Sequence, residues 1–225
     1  MRRLLFLTVV AVACGIAAPP AGATNECKGL QVCVPITGPW VLATPGQVEF
    51  QMSCPKRFIV GGLDAELSSR GLDVGFVGSL GSPVNPGITT SQQVVFLGRL
   101  VRGRDPAPFF RPHIGCVPAS GGGQRVPTAF HPIPPGKPTV REVRQVVARP
   151  GGIRHVAARC AKHASLVAAT HAIGFPGDTP PTVAAARSVH VTQHVVAGRV
   201  ALTIRAGAGV VAIVQLDLLC GAAEA

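Results

Sequence analysis

Seven histidines, ten carboxylates and an excess of arginine are the groups in this 225-residue chain that could do chemistry. His190 and His194 stand four apart in an alternating pattern. A strand would project both from one face, roughly 13 Å apart, too far to share a metal. On a helix that spacing would suit zinc, yet no glutamate accompanies the pair as in a His-Glu-x-x-His site. They read as solvent-facing. His155, His163 and His171 recur every eight residues, which forms a stripe only on a helix, while His113 and His131 lie in Pro-rich stretches that read as loops. Asp64, Glu66 and Asp73 approach the spacing of calcium-binding nonapeptides, but the Gly-Gly-x-Gly-x-Asp pattern is not met. No Gly-x-Ser-x-Gly elbow frames a serine for acyl transfer. The reading is non-catalytic, with no metal and no cofactor.

The basic residues carry more signal. Seven cations (Lys137, Arg141, Arg144, Arg149, Arg154, Arg159 and Lys162) surround a single carboxylate, Glu142, and a second cluster holds Arg99, Arg102 and Arg104. Gathered on one surface, they would attract polyanions with an affinity that falls as salt rises. Anionic cell-wall polymers, acidic glycans and lipid head groups are the expected partners. Nucleic acid is not expected, because Tyr is absent and Trp40 is alone, which leaves little to stack on bases. The uncharged stretch Gly78 to Ser91 has hydroxyls and Asn85 that could hydrogen-bond a glycan, or it is a structural loop.

The cysteines say how these groups are framed. Cys54 and Cys116 are 116 − 54 = 62 positions apart, and Cys160 and Cys220 are 220 − 160 = 60 apart. VLATPG precedes the first pair and VVARPG the second. The duplicated spacing pairs Cys54 with Cys116 and Cys160 with Cys220, leaving Cys27 and Cys33 to close a short loop. The seventh cysteine, Cys14, lies in an N-terminal stretch that reads as a signal peptide over residues 1–23. Arg2 and Arg3 are its basic region, Leu4 to Ala13 its apolar region, and Ala21-Gly22-Ala23 its cleavage site. A lipoprotein anchored at Cys14 is the rival reading. Removal of residues 1–23 leaves six cysteines and takes the formal charge from +11 to 11 − 2 = +9. An even cysteine count in an exported chain predicts disulfides, and no run is long and apolar enough for a transmembrane span.

The elements that position these residues read as strands. Val48 to Cys54 alternates Val, Phe, Met and Cys with Glu, Gln and Ser. Leu72 to Phe76, Gln93 to Leu97 and Val200 to Arg205 also read as strands, and Val210 to Cys220 reads as a last strand interrupted by Gln215 and Asp217. Ala206 to Gly209 is expected to close a hairpin onto it, with a second turn at Gly198-Arg199. His155 to Ala172 is alanine-rich enough for a helix, but its counterpart, Gln51 to Leu67, contains Pro55, Gly61 and Gly62. The repeat therefore predicts strand–turn–strand. Aligned with one-residue slips, Val60 to Ala65 falls on Val167 to Ala172, Phe76 on Phe175 and Val94 on Val189, which sets Asp64 against His171.

The Cys-Pro-x-x-x-x-Val-Gly-Gly core at Cys54 to Gly62 resembles secreted, disulfide-linked β-repeat proteins of high-GC Gram-positive bacteria. In the second copy Cys-Pro becomes Cys160-Ala161 and Gly-Gly becomes Ala168-Ala169. The resemblance implies export and β architecture and brings no activity. The expected fold is all-β: two tandem disulfide-closed antiparallel modules, sandwich or barrel-like, at 24–116 and 141–225, joined by a Pro/Gly-rich linker at 117–140. The expected function is binding or structural, in the cell envelope or extracellular space. The alternative is a secreted hydrolase with a site between the modules that uses His163 or His171.

Overall fold

The computed structural model describes residues 26–30, 32–78, 92–101, 107–119 and 139–222. The expected signal peptide, Cys14, most of the Gly78 to Ser91 loop, the middle of the expected linker, His131, Arg102, Arg104 and Lys137 lie outside these residues. Within them the chain is all-β, with antiparallel pairing throughout and one short helix. No described helix is long and apolar enough to cross a membrane.

Module 1 runs β1 (Val34–Thr37), β2 (Trp40–Leu42), β3 (Gln47–Ser53), β4 (Phe58–Leu67), β5 (Leu72–Gly78), β6 (Gln93–Leu100) and β7 (Phe109–Pro118). β3, β6 and β5 form one sheet; β4, β7 and the broken strand β1/β2 form part of another. The alternation read in β3 is real: Val48, Phe50, Met52 and Cys54 are buried on one side. Module 2 runs β8 (Thr139–Ala148), β9 (Ile153–Arg159), β10 (Ala164–Phe175), α1 (Val183–Arg187), β11 (His190–Val196), β12 (Arg199–Arg205) and β13 (Ala212–Ala222). Here β9, β12 and β11 form one sheet, and β10, β13 and β8 belong to the other. The stretch that resembled a helix is two strands and a turn, as the repeat predicted.

The modules match at their cysteine corners. Each has a β turn after its first long-range cysteine, with Phe58 N–H donating to Pro55 O and Ala164 N–H to Ala161 O. Three residues past that cysteine, Arg57 and His163 both hold a left-handed backbone, with φ of 71° and 69°. Val60 lies opposite Cys116 and Leu166 opposite Cys220, and each pairing shifts register at the next residue. The disulfides Cys54–Cys116 and Cys160–Cys220 span these corners, and Cys27–Cys33 closes the short loop. On the chain-entropy account each long bridge stabilises by about 4 kcal/mol.

This register corrects several sequence expectations. No slip is needed: Val60 corresponds to Leu166, so Asp64 falls on Thr170 rather than His171. β6 corresponds to β12, so Val94 does not match Val189, nor Phe76 in β5 Phe175 in β10. Ala206 to Gly209 closes no hairpin, because β12 pairs with β9 and β11 whereas β13 pairs with β10 and β8. The segment is a corner between sheets, tied to the β8–β9 corner by Gly151 N–H to Gly207 O and Ala206 N–H to Gly152 O. The β11–β12 turn sits at Ala197-Gly198, both with positive φ, the backbone of a type I′ hairpin. His113 is not in a loop but buried in β7.

One sheet runs through both modules, in the order β1–β7–β2–β10–β13–β8, with β4 on β7. The splice is β2, with Trp40 opposite Phe175 and Val41 opposite Gly174. The cores interpenetrate accordingly. Trp40 and Phe109 pack in the module 2 core, where Phe109 meets Phe175 edge-to-face, and Ala172 packs in the module 1 core.

Candidate functional site

Polar groups gather in three places: inside the module junction, in a cleft beside it, and on the outer face of one sheet. The junction arises because β3 is an edge strand and lies over β13. On β13, Ala212, Val214, Leu216, Leu218 and Cys220 are buried in the module 2 core, and Gln215 and Asp217 are buried on the opposite face. Gln51 N–H donates to Gln215 Oε1 at 2.6 Å, and Gln215 Nε2 donates to Gln51 O at 3.0 Å. One side-chain amide thus supplies both bonds of a missing strand partner. Beside it, Arg141 of β8 is held between Glu49 of β3 and Asp217 of β13. Asp217 is 2% exposed at its side chain and Arg141 10%. Burial pushes the Asp217 carboxyl up, while Arg141 pulls it back. Burial works against the Arg141 charge, but the bonds to Glu49 and Asp217 prevail and hold the guanidinium above its ordinary value.

A second buried group lies on the matching face of module 1. His113 Nδ1 is 3.2 Å from Thr37 Oγ1, and its Nε2 is 3.3 Å from Glu66. Burial lowers its pKa, against the pull of Glu66. Arg111 stacks over Trp40 and reaches Asp178 at 3.2 Å, a further tie between modules. The Cys27–Cys33 loop covers this face at Gly62 and Gly115: an added Cβ at Gly62 would come within 1.6 Å of Glu26 O.

The cleft, about 320 Å³, lies between residues 42–48 of module 1 and the β10 edge. Gln193 Nε2 donates to Ala169 O, which turns its Oε1 toward His171 Nδ1 at 2.8 Å. An oxygen can only accept, so His171 carries its proton on Nδ1. The lining has Thr44 and Thr170 hydroxyls but no carboxylate to orient the imidazole. His163 is in the turn before β10, eight residues and therefore about 26 Å of strand away. The two histidines of the hydrolase alternative do not converge. No group of three or more His, Cys, Asp or Glu that could hold a metal occurs among the described residues.

The third place is the outer face of β11–β12–β9. Register sets Val196, Arg199 and Arg159 in one row, His194, Ala201 and Ala157 in the next, then Thr192, Thr203 and His155, then His190, Arg205 and Ile153. Eleven of these twelve residues are solvent-exposed, Thr203 being half-buried, and none is acidic. His190 and His194 face solvent as their spacing predicted. Arg159 and Arg199 stand directly opposite, an arrangement that costs stability unless an anion relieves it.

The predicted cations divide. Arg159 is on this face; Arg154, Arg149 and Lys162 are exposed on β9 and the adjoining corners. Arg141 is withdrawn into the junction and is not a surface cation. Arg144 donates to Ala157 O at 3.4 Å, and Glu142 accepts from Ala161 N–H, so both clamp the β9 edge. Arg99 is exposed but paired with Asp73 at 3.2 Å on the other module. Arg199 and Arg205 were missed, although RVALTIR places both on the outward parity of an alternating strand. Comparison with known proteins finds no matching family, no matching curated protein and no matching solved structure.

Proposed function

We propose that the chain is an exported, non-catalytic protein of the cell envelope or extracellular space. It binds anionic partners electrostatically through the outer face of β11–β12–β9. The observation that carries this reading is the carboxylate-free face holding Arg159, Arg199 and Arg205 beside His155, His190 and His194. Three disulfides support an oxidising compartment. The two modules read as copies of one duplicated unit, supported by their shared pairing order, turn and register shift. The hydrolase reading is weaker, because His171 is oriented by an amide and has no carboxylate in its cleft.

The test is retention on immobilised inorganic polyphosphate and on purified cell-wall fractions across a salt series. The parent is expected to bind at low salt. Replacing Arg159, Arg199 and Arg205 by glutamine should reduce the log–log salt slope by roughly 2, from about 0.7 per lost contact. Failure of the parent to bind at low salt, or an unchanged slope in the triple variant, refutes the reading.

A further inference from the structure

We infer that the anionic partner of this face is a phospholipid surface, which the β11–β12 hairpin enters tip first. This rests on the electrostatic reading above and names its source of anions. Val195 and Val196, 53% and 71% exposed, immediately precede the Ala197-Gly198 turn. Arg199 lies opposite Val196, and Arg159 lies opposite Arg199. Arg159 leads directly into Cys160, whose disulfide to Cys220 fixes the rest of this end of the module. Val140 is opposite Cys220, and Val167 is the residue displaced at the register shift beside it; both are more than half exposed. Lys162 is exposed in the turn that follows Cys160.

Single exposed valines are ordinary on a protein surface. Four at one end, together with Arg159, Arg199 and Lys162, are a different feature. Among the described residues no carboxylate forms an ion pair with those cations. Of the three described in module 2, Asp217 is buried in the junction, Asp178 lies past the opposite end of β10 against Arg111, and Glu142 accepts from Ala161 N–H. A soluble polyanion would satisfy the arginines and leave the valines in water. An anionic bilayer satisfies both, with phosphates at the level of the guanidinium groups and an apolar layer a few ångströms deeper. The type I′ turn suits this role because its two-residue loop adds no bulky polar group between the valines and the tip.

The experiment is co-sedimentation of the full-length chain with vesicles of phosphatidylcholine alone or of phosphatidylcholine with 30% phosphatidylglycerol, alongside binding to soluble inorganic polyphosphate. All variants keep residues 1–25, so differences between them report the tip. The parent should prefer the anionic vesicles. Val195→Ser/Val196→Ser should weaken vesicle binding about tenfold, the scale of losing burial of two half-exposed valines, and leave polyphosphate binding unchanged. Val196→Glu should do the same more strongly. Arg159→Gln and Arg199→Gln should each weaken vesicle binding about fivefold and weaken polyphosphate binding as well. Unchanged trypsin resistance confirms that the variants fold. Vesicle binding unaffected by both valine variants, or equal binding to neutral vesicles, overturns the inference. Binding to polyphosphate without binding to vesicles overturns it while leaving the electrostatic reading intact, and binding to neither overturns both.

Discussion

Replacing Arg141 by methionine tests whether the modules are locked by a buried charge cluster. Methionine keeps most of the apolar stem and removes the cation that Glu49 and Asp217 share. Asp217 would remain almost fully buried with no positive partner, and breaking a buried pair in this way costs about 3–5 kcal/mol. In a chain of 225 residues each kcal/mol moves Tm by about 2–4 °C, so Tm at pH 7 should fall by roughly 6–20 °C. Burial already raises the Asp217 pKa in the parent. A carboxyl whose folded pKa exceeds its unfolded value, about 3.9, binds more protons when folded, so its contribution falls as pH rises through the window between the two. Losing Arg141 extends that window upward. The deficit of the variant relative to the parent should therefore shrink as pH is lowered from 7 to 5, and Asp217→Asn added to Arg141→Met should recover much of it at pH 7. Urea unfolding followed by Trp40 fluorescence is the assay, since the single indole is buried at the splice between modules. A loss under about 1 kcal/mol at pH 7, or a deficit equal at both pH values, refutes the reasoning.

Two further predictions address module 1. His113 has a folded pKa lowered by burial, so the unfolded chain binds the extra proton first, near pH 6.5, and stability is lost as pH falls below that value. His113→Asn should flatten the change in Tm between pH 7.0 and 5.5 relative to the parent; an identical slope would remove His113 as its source. Gly62→Ala places a methyl group 1.6 Å from Glu26 O, an overpacking of roughly 1–3 kcal/mol. It should lift the Cys27–Cys33 loop and speed reduction of that disulfide by dithiothreitol, whereas Gly75→Ala, whose Cβ meets nothing within 4 Å, should not. Equal reduction rates in the two variants would show that the loop does not rest on Gly62.

What could be read from the sequence was local or repeated. The cysteine spacing carried the disulfide pairing, and period-two alternation carried strands such as Gln47–Ser53 and Arg199–Arg205. The comparison of copies outweighed alanine content at His155 to Ala172, because a helix there would need one in a counterpart containing Pro55, Gly61 and Gly62. The junction was not legible. Gln51 and Gln215 are 164 residues apart, and nothing local marks a glutamine as a strand substitute. Gln215 and Asp217 did stand out as interruptions of an apolar strand, which is how a strand buried on both faces reads when its second face is polar. Arg141 looked like its neighbouring cations, because charge counting along a chain cannot distinguish an inward from an outward residue. The corner at Ala206 to Gly209 has the composition of a hairpin turn, and the choice between turning back and crossing to the other sheet is made by distant strand partners.

The register that the two modules share at their cysteine corners shows where their polar residues differ. Gln51 and Ala157 each lie three residues before the first long-range cysteine of their module, on edge strands whose backbone needs partners. Module 2 supplies Ala157 O with a donor of its own, Arg144; module 1 obtains both partners for Gln51 from Gln215 of its neighbour. The receiving faces differ in the same manner. His113 and Asp217 occupy matching positions, three before the second cysteine. The face around Asp217 accepts β3, whereas the face around His113 is covered by the Cys27–Cys33 loop over Gly62 and Gly115. An unpaired edge or an open sheet face invites further association. Here the β3 edge of module 1 meets the Gln215–Asp217 face of module 2, and the His113 face of module 1 is covered by the Cys27–Cys33 loop. The Gly61-Gly62 pair therefore serves that covering loop, and in this register it falls on Val167-Ala168 rather than on Ala168-Ala169, where no such loop lies on module 2 among the described residues.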